Sequence, residues 1–94
     1  MIYTLDNCIQ AYNEGLMDTS FALYIDIQRL AYLYFEARQL YKEREQLYET
    51  KDERGFFTWD HEEISRITQE IDNVFKTIDT IEYRLNPLIK ELNQ

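Results

Sequence analysis

The segment 64–92, ISRITQEIDNVFKTIDTIEYRLNPLIKEL, decides the fold of this chain. Its apolar residues alternate at spacings of three and four: Ile64, Ile67, Ile71, Val74, Ile78, Ile81, Leu85, Leu88 and Leu92. This spacing is typical of a helix that packs an apolar seam along a second helix. The segment therefore predicts a long amphipathic helix that needs a partner helix.

The same chain supplies a partner helix upstream of this segment. Three Leu-Tyr pairs recur at a spacing of seven, at Leu33-Tyr34, Leu40-Tyr41 and Leu47-Tyr48. We expect this helix to span 19–54. Lys51 and Arg54 lie in its last turn, where cations suit the negative end of a helix dipole, and Gly55 stops the helix. A short connector between two long helices predicts an antiparallel, coiled-coil-like hairpin.

Capping residues predict where two further helices begin. Thr4 is an N-cap candidate for a short helix over 4–14. Asp60 and Glu63 form a capping-box pattern at the start of the seam helix, which we expect to span 60–85.

Proline predicts a break near the C-terminus. Pro87 cannot donate a helical hydrogen bond, and Asn86-Pro87 is a favourable start for a new helix. We therefore expect a final short helix over 87–93. Together these elements predict an all-α fold with one domain over 1–94.

The N-terminal half of the second helix is apolar on every side. Outside its seam it carries Phe21, Tyr24, Ile25, Tyr32 and Phe35. One partner helix cannot cover all of these positions. We expect the first helix, a second copy of the chain, or both to cover them, and we predict a homodimer interface at these five residues.

Composition limits the class of protein. The chain has 94 residues, 45% of them hydrophobic, with Gly 2 and Pro 1, so it has little material for turns and favours long helices. The net charge of −8 argues against direct nucleic-acid binding. A single cysteine fits a reducing compartment, and neither a signal peptide nor a membrane span is evident. We expect a soluble, cytoplasmic protein.

No motif for catalysis, a metal or a cofactor is evident. His61 is the only histidine, and its acidic neighbours in sequence point to different sides of a helix. Two acid pairs at a spacing of three, Glu49 with Asp52 and Asp60 with Glu63, leave a Mg-dependent helical nucleotide pyrophosphatase as a remote alternative. We predict a protein that is not an enzyme and needs neither a metal nor a cofactor.

Connector aromatics form the first candidate binding site. The sequence Arg-Gly-Phe-Phe-Thr-Trp over 54–59 places three aromatics close together, at Phe56, Phe57 and Trp59. They either cap the open end of the helical hairpin or lie exposed for a partner.

The tyrosines of the Leu-Tyr repeat form the second candidate site. Tyr34, Tyr41 and Tyr48 lie at the edge of the seam, where a tyrosine can bury its ring and keep its hydroxyl in water. The alternative is a stripe for a partner protein, with Arg38 providing polar contacts.

These features predict a function carried out by contact with another protein. We expect a small dimeric module that docks on a partner and blocks or adapts it. Size and charge are similar to those of viral or mobile-element inhibitors of host defence, of the anti-CRISPR or anti-restriction type, which implies a basic, nucleic-acid-handling partner and a site of action in the host cytoplasm. A bacterial adaptor or chaperone is an alternative.

The length and two-helix plan also resemble the WXG100 family, which implies a secreted helical-hairpin dimer as a further alternative. That family carries Trp-x-Gly in its turn, whereas Gly55 precedes Trp59 here. Its C-terminal Tyr-x-x-x-Asp/Glu signal is also missing, since Tyr83 is followed four residues later by Pro87.

Overall fold

The computed structural model describes residues 2–94, and this part of the chain contains helices and no strands. The helices are α1 (Leu5–Asn13), α2 (Tyr24–Glu49) and α3 (His61–Leu92). The molecule is elongated, with extents of 61 × 24 × 18 Å. The predicted all-α fold, with a short N-terminal helix and a helical hairpin, is confirmed.

Polar contacts at the two ends of the hairpin show that α2 and α3 are antiparallel. At one end Arg84 donates to the Asp26 carboxylate at 2.7 Å. At the other end Arg44 donates to the Thr68 hydroxyl at 3.2 Å. Residue numbers rise along α2 as they fall along α3, so the N-terminal half of α2 lies beside the C-terminal half of α3.

The start of α2 differs from the prediction. A turn stands at the predicted start near residue 19, because the Asp18 carboxylate accepts hydrogen bonds from the Ser20 amide and hydroxyl, each at 2.8 Å. These hydrogen bonds lower the pKa of Asp18. The next backbone hydrogen bonds, from Phe21 to Asp18 and from Tyr24 to Phe21, span three residues, so regular helix begins only at Tyr24.

The predicted N-caps of the other two helices are present. The Thr4 hydroxyl accepts from the Asn7 amide at 3.0 Å, and the Asp60 carboxylate accepts from the Glu63 amide at 3.1 Å. Each bond satisfies a backbone donor that the first helical turn leaves free.

The predicted break at Asn86 is absent, because α3 continues through Pro87 to Leu92. Pro87 leaves the carbonyl of Tyr83 without its helical donor. The side chains of Tyr83 and Pro87 are both exposed, so the Tyr83 carbonyl lies on the side of α3 that faces water. Water can then replace the missing donor, and the helix continues.

The core forms two clusters along the hairpin. The larger one joins all three helices and contains Cys8, Leu23, Ile27, Leu30, Ile78, Ile81, Leu85 and Ile89. The smaller one lies between α2 and α3 alone and contains Leu40, Ile67 and Ile71. Burial raises the pKa of the Cys8 thiol, which is a structural group of the larger cluster.

The seam predicted for α3 changes position at its C-terminal end. Ile89 is 6% exposed, whereas Leu88 is 38% and Leu92 40% exposed. A straight α-helix drifts by about 20° per heptad relative to a repeat of 3.5 residues per turn. Over four heptads this drift brings Ile89 to the buried line in place of Leu88 and Leu92.

Helix α1 covers part of the apolar half of α2. The Tyr3 ring, just before α1, stacks on Phe21 at a centroid distance of 5.8 Å. Tyr12 meets Tyr24 edge-on at 5.7 Å. Two residues of the predicted dimer interface therefore have partners within the chain, and three, Ile25, Tyr32 and Phe35, remain exposed.

Among the described helices, none combines the length and the hydropathy that a membrane crossing requires.

Candidate functional site

The connector between α2 and α3 folds back on itself around one isolated antiparallel β-bridge. The Thr58 amide donates to the Thr50 carbonyl at 2.9 Å, and the Asp52 amide donates to the Phe56 carbonyl at 2.8 Å. Between these bonds, Lys51 and Phe57 form an antiparallel bridge. Helix α2 therefore ends at Glu49, and the predicted end at residue 54 is wrong. We call residues 50–59 the hairpin tip.

A tight turn closes the hairpin tip. The Asp52 carboxylate accepts from the amides of Arg54 at 2.9 Å and Phe56 at 3.0 Å. The Gly55 amide donates to the Asp52 carbonyl at 3.0 Å, and Gly55 has a φ of 84°. Glycine adopts this left-handed conformation without the steric cost of a side chain. The turn thus holds its backbone through three hydrogen bonds to Asp52.

The sequence contained a signal for this turn. Asp at the first position and Gly at the fourth position of a β-turn, here Asp52 and Gly55, are the favoured residues of a type I turn. The helix-forming residues between and before them, Lys51, Glu53 and Arg54, favoured helix in the sequence-based prediction.

Three aromatic side chains, Tyr48, Phe57 and Trp59, meet at the hairpin tip, and Phe56 is exposed on the turn beside them. We call these four residues the tip cluster. The Trp59 ring meets Tyr48 edge-on at 5.8 Å and lies tilted against Phe57 at 5.9 Å. The indole Nε1 donates to the Tyr48 carbonyl at 2.8 Å, so Trp59 is fixed to the end of α2. The Lys51 ammonium lies 4.8 Å from the centre of the Phe57 ring.

The tip cluster lies outside the core. Phe56 is 67% exposed, and Phe57 and Trp59 are also about half exposed. None of the three packs against either core cluster. Exposed aromatic surface of this kind, held by a hydrogen-bonded turn, is available to a partner.

Acidic residues flank the tip cluster in the sequence, and we call them the rim. Residues 49–63 carry six acids against two bases, Lys51 and Arg54, and so hold half of the net charge of −8. A hydrogen bond from Arg66 lowers the pKa of Glu63, which is therefore ionised and paired. The tip thus combines an apolar centre with a negatively charged rim.

The predicted tyrosine ladder does not form one continuous stripe. The Tyr34 hydroxyl donates to the Glu82 carboxylate of α3. Tyr41 meets Phe75 edge-on at 6.2 Å, and the Arg44 guanidinium lies 5.1 Å from the centre of the Tyr41 ring. Only Tyr48 joins the tip cluster. Tyr34 packs against the larger core cluster, whereas Tyr41 is 40% exposed. Partner binding at these two tyrosines stays a prediction.

Arg38 lies apart from the hairpin tip. It lines two shallow grooves beside α1, one with Tyr12 and Phe35 and one with Asp6 and Tyr34. The structure therefore does not bring Arg38 together with the tip cluster.

Within residues 2–94, no three His, Cys, Asp or Glu side chains are grouped so that they could hold a metal ion. His61 lies in the first turn of α3, where its ring meets Trp59 edge-on at 6.4 Å. In the two acid pairs, 49 with 52 and 60 with 63, the Asp52 and Asp60 carboxylates accept hydrogen bonds from backbone amides, and Glu63 is paired with Arg66.

Comparisons of the chain with protein-family models, with curated proteins and with solved structures found no match.

Proposed function

We propose that this chain is a non-enzymatic protein-binding module that docks through the tip cluster on a partner protein and blocks or adapts it. The observation that carries this proposal is the exposure of Phe56, Phe57 and Trp59 on a hydrogen-bonded hairpin outside the core. Tryptophan and tyrosine are the residues most enriched at the energetic centres of protein interfaces.

The hydrogen bonds within the hairpin tip support the same proposal. A surface that is ordered before binding loses less conformational entropy when a partner arrives. Asp52 fixes the turn, and the bond from the indole of Trp59 to the Tyr48 carbonyl fixes the largest aromatic side chain. The apolar centre therefore needs little rearrangement to meet a partner.

The charge of the rim indicates the chemistry of the partner surface. An apolar centre inside an acidic rim is complementary to an apolar patch edged by Lys and Arg. A basic, nucleic-acid-handling protein has such a surface, and an inhibitor of the anti-CRISPR or anti-restriction type is the form of the proposal that size and charge favour. The module would then act in the cytoplasm, in the host cytoplasm if it is viral.

Affinity capture with matched variants tests the proposal. The triple variant Phe56→Ala, Phe57→Ala, Trp59→Ala should keep the far-ultraviolet circular dichroism of the wild type and lose the captured partner. A control variant carries three exposed apolar substitutions elsewhere, Leu16→Ala, Tyr83→Ala and Leu88→Ala, and should retain the partner. A partner that binds both variants equally would contradict docking at the hairpin tip.

Salt dependence separates the two forms of the proposal. If the acidic rim meets a basic surface, affinity falls steeply as ionic strength rises from low salt, because the Debye length shrinks to about 8 Å at physiological salt. An adaptor that binds through the aromatics alone shows little change. Trp59 is the only tryptophan, so its fluorescence reports the titration with the captured partner directly.

A further inference from the structure

An exposed face of α2 has no partner within the described chain. Ile25, Arg29, Tyr32 and Glu36 follow one another at spacings of four, three and four, which places them on one side of the helix. Ile25 is 71% and Tyr32 65% exposed, and the exposed Phe35 lies beside them. We call these five residues the outer face of α2. Tyr3 and Tyr12 contact Phe21 and Tyr24 and leave this face open.

The two charges on the outer face have opposite signs and flank Tyr32. Arg29 and Glu36 are seven residues apart, which is about two helical turns or roughly 10 Å. Within residues 2–94, neither takes part in an ion pair or a side-chain hydrogen bond, whereas Asp26 nearby is paired with Arg84. The face thus presents an aromatic centre between one positive and one negative group.

This pattern is complementary to itself in one orientation only. When two copies of α2 cross antiparallel, with a two-fold axis beside Tyr32, Arg29 of each copy faces Glu36 of the other. A parallel pairing in register would oppose Arg29 to Arg29 and Glu36 to Glu36, which is repulsive. The apolar groups Ile25, Tyr32 and Phe35 would be buried between the two helices.

We infer that the outer face of α2 binds a second copy of this chain in an antiparallel, two-fold symmetric dimer. The occupant is a second copy because the charges of the face complement each other, and no foreign surface is needed to pair them. Three residues of the dimer interface expected from sequence, Ile25, Tyr32 and Phe35, lie in this face, and Arg29 and Glu36 set its orientation.

The antiparallel arrangement determines where the two hairpin tips lie. From Tyr32 to the end of α2 at Glu49 is about 25 Å of helix, and the tip extends beyond it. The two tip clusters therefore lie at opposite ends of the dimer, on the order of 50 Å or more apart. This consequence rests on the proposed function: a dimer that docks through both tips bridges two partner molecules or two sites on one assembly.

A charge swap tests the dimer and its orientation. Sedimentation equilibrium of the wild type should give twice the chain mass. Arg29→Glu and Glu36→Arg should each weaken the dimer by about tenfold or more, since each places like charges opposite one another. The double variant Arg29→Glu, Glu36→Arg should restore the wild-type dissociation constant to within about threefold, because both pairs form again with reversed sign.

The control variant Lys76→Glu carries the same change of charge as Arg29→Glu at an exposed position of α3 and should leave the dimer unchanged. A wild-type chain that stays monomeric up to about 1 mM would overturn the inference. A double variant no stronger than the single variants would also overturn it. These outcomes are independent of docking at the tip, because no substituted residue belongs to the tip cluster and no partner protein is present.

Discussion

The side-chain amide of Asn93 binds both backbone polar groups of Tyr3. The Tyr3 amide donates to Asn93 Oδ1 at 2.7 Å, and Asn93 Nδ2 donates to the Tyr3 carbonyl at 2.8 Å. This pair joins the segment before α1 to the residue after α3. A helix of nine residues is marginal by itself in water, so α1 depends on such contacts and on its packing.

Removal of the Asn93 amide should loosen this end of the bundle. Asn93→Ala removes two hydrogen bonds at the surface, at a net cost of about 1 to 2 kcal/mol in the free energy of unfolding. For a domain of this size each kcal/mol lowers the melting temperature by about 4–8 °C. Thermal unfolding followed by circular dichroism measures the loss. Gln94→Ala, at the next position, should melt like the wild type, and equal melting of both variants would contradict the role of Asn93.

Gly55 should be the most sensitive backbone position of the hairpin tip. Its φ of 84° costs an L-residue about 1–2 kcal/mol, and a Cβ atom built there meets no other atom. Gly55→Ala should therefore lose stability through backbone strain alone. Gly55→Asn should lose less, because asparagine tolerates the left-handed region better. Chemical denaturation of the three proteins gives the order, and an alanine variant as stable as the wild type would exclude strain at this turn.

The heptad spacing was sufficient to predict the hairpin, because burial against a facing helix requires an apolar residue every three or four positions. Ile67, Ile71, Ile78, Ile81 and Leu85 are all buried as the pattern expects. The heptad spacing takes no account of the slow rotation of the apolar line around a straight helix. It therefore predicted Leu88 in the core, where the structure has Ile89.

The hairpin tip was harder to predict, because two local preferences compete there. Residues 50–54 contain good helix formers, whereas Asp52 and Gly55 favour a turn. The turn prevails because three backbone amides, those of Arg54, Gly55 and Phe56, donate hydrogen bonds to Asp52. Among the aromatics nearby, the sequence left burial and exposure as equal alternatives, since that choice depends on where the turn aims them.

Tyr34 should titrate at unusually high pH. Burial, followed by the hydrogen bond to Glu82 and the negative charges of Glu82, Asp6 and Asp79, raises its pKa from 10.0 to about 12. The folded state thus favours the neutral phenol. This contribution to stability is complete below pH 10 and is lost as the pH rises through about 12.

Absorbance of the phenolate during an alkaline titration measures this group. Tyr34→Phe should remove the component that titrates last, whereas Tyr83→Phe, at a position of α3 that is 85% exposed, should leave that component in place. If the titration of the Tyr34→Phe variant kept the same final component, the hydrogen bond to Glu82 would not hold the phenol in its neutral form.

The register of the core at the end of α3 should show in the stability of two neighbouring variants. Ile89→Ala removes a side chain that is 6% exposed in the larger core cluster and should cost about 2–5 kcal/mol. Leu88→Ala, at a neighbouring position that is 38% exposed, should cost less than about 1 kcal/mol. Denaturant unfolding of the two variants separates the two registers. Greater loss at Leu88 would mean that the heptad seam continues in register to Leu92, and that the drift of the helix does not bring Ile89 against α1 and α2.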